Sequence, residues 1–154
     1  MKISELIGDD LIIGELKGGA KLEVLQEFAS LLYDAGKVDD KEGLTRVLAA
    51  RESLGSTGIG DGVAIPHGKL KGLKGLVLAF GRSRAGIDFD SLDGEPAHLF
   101  FLLLAPDDAP GEHLKALARI SRMMKNSDLR ESLLKAASVK EIRRALSRDE
   151  DGRA

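Results

Sequence analysis

The sequence contains no cysteine. That excludes disulfides and thiolate metal sites and, with no signal-peptide pattern at the N-terminus, sets a reducing cytoplasm as the expected location. Long apolar runs are also missing. The longest, Leu99 to Ala105, suits a buried strand, whereas a spanning helix needs about 20 residues, so no membrane insertion is expected. A strong charge of either sign is absent too. A net charge of -2 with acids and bases interspersed argues against nucleic acid as a partner, because binding it normally requires a basic face. Proteins or small anions are the expected partners. With no internal repeat and no linker, the 154 residues read as one domain, long enough to bury roughly two thirds of the surface its unfolded chain exposes.

What the chain does contain is the run Gly55 to Leu70, GSTGIGDGVAIPHGKL, whose composition folding alone does not explain. Gly55, Gly58, Gly60 and Gly62 each cost about 0.5–1 kcal/mol against alanine in regular structure, and they read as a loop that lets a ligand approach the backbone. Val63 to Ile65 reads as a short strand. Pro66 biases Ile65 toward extended backbone and removes a donor, so the strand is expected to stop at His67. The imidazole then sits at a strand end, between flexible, electropositive neighbours in Gly68 and Lys69.

The remaining elements are predicted around this stretch. Leu11 to Ile13 suggests an edge strand. Leu22, Leu25, Ala29 and Leu32 have helical spacing ending at Gly36, a natural C-cap. Asp39 with Glu42 reads as the start of a second helix, which carries Leu44, Val47 and Leu48 to about Glu52 and puts Arg51 near its end. Leu73 to Phe80 reads as a strand stopping at Gly81, with a turn at Arg82 to Gly86. GIDFDSLDG reads as a loop anchored by Ile87, Phe89 and Leu92. After Pro96, AHLFFLLLA is apolar on both alternating faces, the pattern of a central strand with helices on both sides of its sheet. Pro110 suits the first position of a helix with Leu114, Leu117, Ile120 and Met124 on one face and His113 in its first turn. Ser127 to Ala137 reads as a further helix. Ser138 with Glu141 boxes the start of a last one carrying Val139, Ile142 and Leu146, and Ser147 to Ala154 reads as a charged, frayed end.

Several catalytic patterns do not fit. Gly62 to Lys69 misses the nucleotide P-loop by one residue and has Leu70 where Ser or Thr is needed, and Gly58-Ile59-Gly60 lacks the third dinucleotide glycine. No Gly-x-Ser-x-Gly elbow is present. The histidines show no ligand spacing, so zinc held by His67, His113 and Asp61 would need tertiary contact. His98, on the long strand, reads as structural, and the bland readings of His67, His113 and Arg51 are surface residues. Against these, histidine is a nucleophile, and phosphoryl transfer needs what lies nearby: amide donors, an arginine and a helix N-terminus.

STGIGDGVAIPHGKL, followed by GIDFDSLDGEPAHLFFLLLAP and then by His113, resembles the IIA domains of the bacterial sugar phosphotransferase system, fructose and mannitol class. Within that class it is most similar to the stand-alone nitrogen-regulatory type. The resemblance implies a three-layer α/β sandwich, a mixed β-sheet flanked by helices on both faces, over residues 1–148, with 149–154 a charged tail. It implies a phosphotransferase component that takes a phosphoryl group on His67 from an HPr-like phosphocarrier protein and acts on regulatory protein targets, with no cofactor and no metal. His113 matches a second active-site histidine that stabilises the phosphoryl group, and Arg51 matches a phosphate-binding arginine. Thr57, beside Ser56 in the loop, is the further phosphate-binding candidate. Asp61 stands where relatives often carry asparagine and is expected to face solvent or pair with Lys69. A sugar-specific IIA that passes phosphate to a transporter subunit, and an unphosphorylated anion- or protein-binding module, are the alternatives.

Overall fold

In chain order the elements are α1 (Ile3–Leu6), β1 (Ile7–Ile13), α2 (Lys21–Asp34), α3 (Lys41–Ser53), β2 (Gly58–Gly60), β3 (Val63–Ala64), β4 (His67–Leu70), β5 (Val77–Ile87), β6 (Ala97–Pro106), α4 (Pro110–Met123), α5 (Ser127–Lys135) and α6 (Val139–Glu150). They come from a computed structural model that describes residues 2–150. The sheet has six strands in the order β1-β5-β6-β3-β2, with β4 also on β6. Strand β6 runs antiparallel to β5 and parallel to β3 and β4, and β1 lies parallel to β5 at the edge, so the sheet is mixed.

Side-chain alternation along β6 sorts the helices into two layers. Gly81 pairs with Phe100 and Gly68 with Leu104. A Cβ on Gly81 would press on Phe28 of α2 at 2.7 Å, and one on Gly68 on Val47 of α3 at 2.9 Å. Phe100, Leu102 and Leu104 therefore face α2 and α3. Arg82 pairs with Leu99 and donates to the carbonyls of Leu133 and Ala136 at the end of α5, while His67 pairs with Leu103 and meets His113 of α4. Leu99, Phe101 and Leu103 therefore face α4 and α5, with α6 packed on α5 and β1. The predicted three-layer arrangement is the one found. Every residue from Leu99 to Leu104 is buried, and Phe80 stacks edge-on against Phe101 with ring centres 5.0 Å apart. Each such side chain contributes about 1.5–3 kcal/mol by leaving water.

Local expectations hold for the edge strand, the Gly36 cap and the end of β6 at Pro106, whereas several others fail. Asp40, not Asp39, caps α3, its carboxylate accepting the Gly43 N–H at 2.9 Å. β5 does not stop at Gly81; it pairs through Gly81 and Arg82 and reaches Ile87 across an irregularity, because the Arg82 guanidinium finds carbonyls inside the protein. Leu92 anchors nothing and is 80% exposed, while Ile87 and Phe89 are buried as expected. The buried stripe of α4 is His113, Ala116, Ile120 and Met123, leaving Leu114 at 69% exposure. Ser147 to Glu150 continue α6 and are not frayed: the Glu150 carboxylate accepts the N–H groups of Ile3 and Ser4 at 2.6 Å. Residues 151–154 lie outside the described residues.

Candidate active site

The site starts where α3 ends. Leu44 and Leu48 lie on the buried face of this helix, and Glu52, one turn further, continues the same stripe. Arg51 stands beside it in the last turn, and its Nη1 donates to the Gly55 carbonyl at 2.8 Å. The chain then forms the β2–β3 hairpin. Both turn residues have positive φ, 57° at Asp61 and 76° at Gly62, as a type I′ turn requires and Asp-Gly supplies. Part of the glycine cluster is thus hairpin chemistry, a signal the sequence carried and the ligand-loop reading passed over. Asp61 is exposed at the turn, its N–H donating to Asp93 at 3.1 Å. It faces solvent, as expected, and no ion pair with Lys69 occurs among the described residues. Aspartate is among the few non-glycine residues that tolerate this left-handed conformation.

His67 does not end a strand; it begins one. β3 stops at Ala64, the Pro66 carbonyl accepts the Leu103 N–H at 3.0 Å, and β4 resumes along the same edge of β6. Gly68 is a packing glycine, since a larger residue would push Val47 and α3 away. The same pleat turns His67 to the other face, toward α4.

His67 Nδ1 lies 2.7 Å from the Ile65 carbonyl. A carbonyl only accepts, so Nδ1 carries the proton and Nε2 keeps its lone pair. Desolvation pushes the His67 pKa below the ordinary 6.5, with Arg51 adding to the fall; the Ile65 hydrogen bond and Glu52 pull the other way. His113 is 6% exposed and meets His67 edge-on, with ring centres 5.3 Å apart. Its pKa is also lowered, by desolvation first and then by His67 and Lys69. The buried Nε2 of His113 has no hydrogen-bond partner. An unpaired buried group of this kind costs about 1–3 kcal/mol. The arrangement is therefore two imidazoles in contact, both favoured in the neutral form, with the charge of Arg51 felt at His67.

The sequence-predicted residues separate here. His67 and His113 are in contact, and Arg51 acts on His67 electrostatically. Thr57 lies in the same loop but is buried, with its hydroxyl and N–H both directed to the Glu52 carboxylate. Ser56 donates to the Phe89 carbonyl at 2.5 Å. His98 is satisfied by the Ser83 carbonyl at 2.9 Å, in keeping with its structural reading. Glu52 was missed, although its spacing from Leu44 and Leu48 placed a carboxylate on a buried stripe. No three side chains capable of holding a metal converge among the described residues, and none of their helices is long and apolar enough to cross a membrane.

A mixed α/β domain with a paired-histidine site is the class these observations define. The sequence model of the phosphoenolpyruvate-dependent sugar phosphotransferase system, EIIA 2, matches residues 5–149. The chain belongs to that family and is a phosphotransferase-system component. It is 43% identical over 133 residues to the nitrogen regulatory protein of Bradyrhizobium diazoefficiens, covering 86% of each chain. It is 41% identical over 138 residues to the fructose-specific EIIABC component of Bacillus subtilis, covering 90% of this chain but 22% of that protein's length. The crystal structure of the nitrogen regulatory protein IIA-Ntr from Neisseria meningitidis superposes with a TM-score of 0.86 at 38% identity, covering 94% of this chain and 98% of the other.

Proposed function

We propose that this protein is a regulatory phosphocarrier that accepts a phosphoryl group on Nε2 of His67 from the phosphohistidine of an HPr-like carrier. The observation that carries the reading is the bare Nε2 of His67, held so by the Nδ1 hydrogen bond, next to the unpartnered Nε2 of buried His113. The N–P bond of the donor breaks as the N–P bond at His67 forms in line, the electron pair returns to the donor imidazole, and the proton stays on Nδ1 of His67, donated to the Ile65 carbonyl throughout. Nothing is oxidised or reduced. Arg51 and His113 meet the phosphoryl oxygens, in a reaction whose transition state asks the protein for positioning and charge stabilisation. Thr57 serves by holding the loop.

The regulatory role is supported by the nitrogen regulatory relatives, which match this chain over most of both lengths. The second reading, a sugar-specific component handing phosphate to a transporter subunit, is favoured by the nearly equal identity to the fructose-specific protein. Incubation with a phosphorylated HPr-type carrier is expected to label wild type and leave His67→Ala unlabelled; equal labelling of the two removes His67 from the reaction. Adding fructose-class IIB domain separates the two roles. Retention of the label fits the regulatory reading, and rapid onward transfer fits the sugar-specific one.

A further inference from the structure

The transfer described above leaves one buried charged group of the site unused. Glu52 is 4% exposed at its side chain, and an ionised carboxylate out of water is costly unless donors surround it. Both its oxygens lie 3.3 Å from the Thr57 N, and one of them also takes the Thr57 hydroxyl. The other is 3.2 Å from Lys21 Nζ, which goes on to Asp90 at 3.0 Å and sits 4.9 Å from the centre of the Phe89 ring. From Thr57 the connection continues through the main chain. The Thr57 carbonyl accepts the Ile65 N–H at 2.9 Å, and the Ile65 carbonyl accepts Nδ1–H of His67 at 2.7 Å.

We propose that Glu52 is a positioning residue for phosphoryl transfer: by clamping Thr57 it fixes the Ile65 carbonyl against Nδ1 of His67 and so keeps Nε2 as the bare nucleophilic nitrogen. The inference rests on the phosphoacceptor reading of His67. A carboxylate suits the task because it accepts from the Thr57 N–H, the Thr57 hydroxyl and the Lys21 ammonium together, and charge-assisted bonds are about twice as strong as neutral ones. Glutamine keeps the shape and the Thr57 N–H bond but turns an NH2 group toward a donor. Alanine removes the clamp. Glu52 also adds charge: the groups facing His67 are Arg51 and Glu52 from α3 and His113 from α4, with Lys69 on its own strand. Neutralising Glu52 leaves Arg51 unopposed from α3.

The test is nitrogen-15 NMR of the imidazoles in the full unphosphorylated chain, for wild type, Glu52→Gln, Glu52→Ala and Thr57→Val. Phosphorylation rates from a phosphorylated HPr-type carrier are measured in parallel. Wild type is expected to show the Nδ1–H tautomer at His67. Glu52→Ala is expected to show a tautomer mixture and a rate lower on the order of tenfold to a hundredfold, the range that misplacement of a reacting group produces. Glu52→Gln keeps the tautomer, loses less rate and titrates His67 at lower pH than wild type. A wild-type tautomer and rate in Glu52→Ala overturn the proposal. If Glu52→Ala does not fold, an unshifted His67 titration in Glu52→Gln together with an unchanged tautomer in Thr57→Val overturns it equally. The spectra need no donor, so a wild-type chain that takes no phosphoryl group ends the phosphocarrier reading, while the tautomers still judge the Glu52 clamp.

Discussion

Glu52 and Glu150 both stand at the last turn of a helix and both are shut away from water, with side chains 4% and 1% exposed. Their partners differ. Glu150 accepts the N–H groups of Ile3 and Ser4 at the start of α1 and Nε of Arg119 at 3.2 Å. It ties the C-terminal helix to the N-terminal one and to Arg119 of α4, and it makes no hydrogen bond to the loop that leads to His67. Glu52 accepts from a loop residue and from a lysine, and the next two hydrogen bonds along the chain end on the imidazole. The same chemical group is a staple in one region and a support for the site in the other. What decides is whether the donors lead on, by further hydrogen bonds, to His67: Thr57 does, through Ile65, and the donors to Glu150 do not.

The widest separation between scaffold and site is expected from Phe101→Ala. It should lower unfolding free energy by about 3–5 kcal/mol in urea titrations, through lost burial and the cavity opposite Phe80, while the fraction that remains native still accepts phosphate. A site that fails with the fold still intact would break the contrast. Glu150→Gln comes next. Its cost should be about 1.5–3 kcal/mol, in the range for hydrogen bonds to a charged group, with the phosphorylation rate unchanged, unlike Glu52→Gln. Burial, the largest influence, would raise the Glu150 pKa, but the donors from Ser4, Ile3 and Arg119 together outweigh it and hold the pKa below the ordinary 4.5. The carboxylate therefore stabilises fully above the unfolded-state value of 4.5, and the gain is lost as pH falls through the lower folded-state value. Wild type and Glu150→Gln should converge in acid.

The smallest expected effect is on pH dependence. Desolvation keeps His67 and His113 neutral below their ordinary 6.5. Phosphoryl acceptance should hold at pH 6.5 and decline only in more acid solution, where Nε2 takes up a proton and loses its lone pair. The two rings are in contact, so the decline belongs to the pair and not to one histidine. An initial-rate profile with its acid midpoint at or above 6.5 contradicts this. The same lowered values make both histidines destabilising to protonate in the native state, so their contribution to stability is complete above the unfolded-state 6.5 and fades as pH drops through the folded-state values.

The layers were legible because β6 is apolar on both faces, a pattern that only a covered central strand satisfies. His67, His113 and Arg51 were legible as candidates because their neighbours carried a family resemblance; the contact between the two histidines was not, being set by the pleat at Gly68 and by the rotation of α4. Helical spacing placed Leu114 inward, one position off, because the reading counted apolar residues only and His113 is the polar member of the buried stripe. The strand β5 was cut short at Gly81 for a related reason. Glycine and arginine look like stops in one dimension, yet Gly81 admits the Phe28 ring and Arg82 bonds to the carbonyls of Gly14 and Leu133. Glu52 and the Asp61-Gly62 turn were both written in the sequence as spacing and as a dipeptide, and the attraction of the glycine run to a ligand hid them.

Phosphorus-31 NMR of the full chain after phosphorylation by an HPr-type carrier is the most direct check, because the chemical shift and nitrogen coupling report which ring nitrogen of which histidine is modified. The account predicts one phosphohistidine, at Nε2 of His67, with Nδ1 still protonated. A phosphoryl group on Nδ1 of His67, or on His113 in its place, contradicts it.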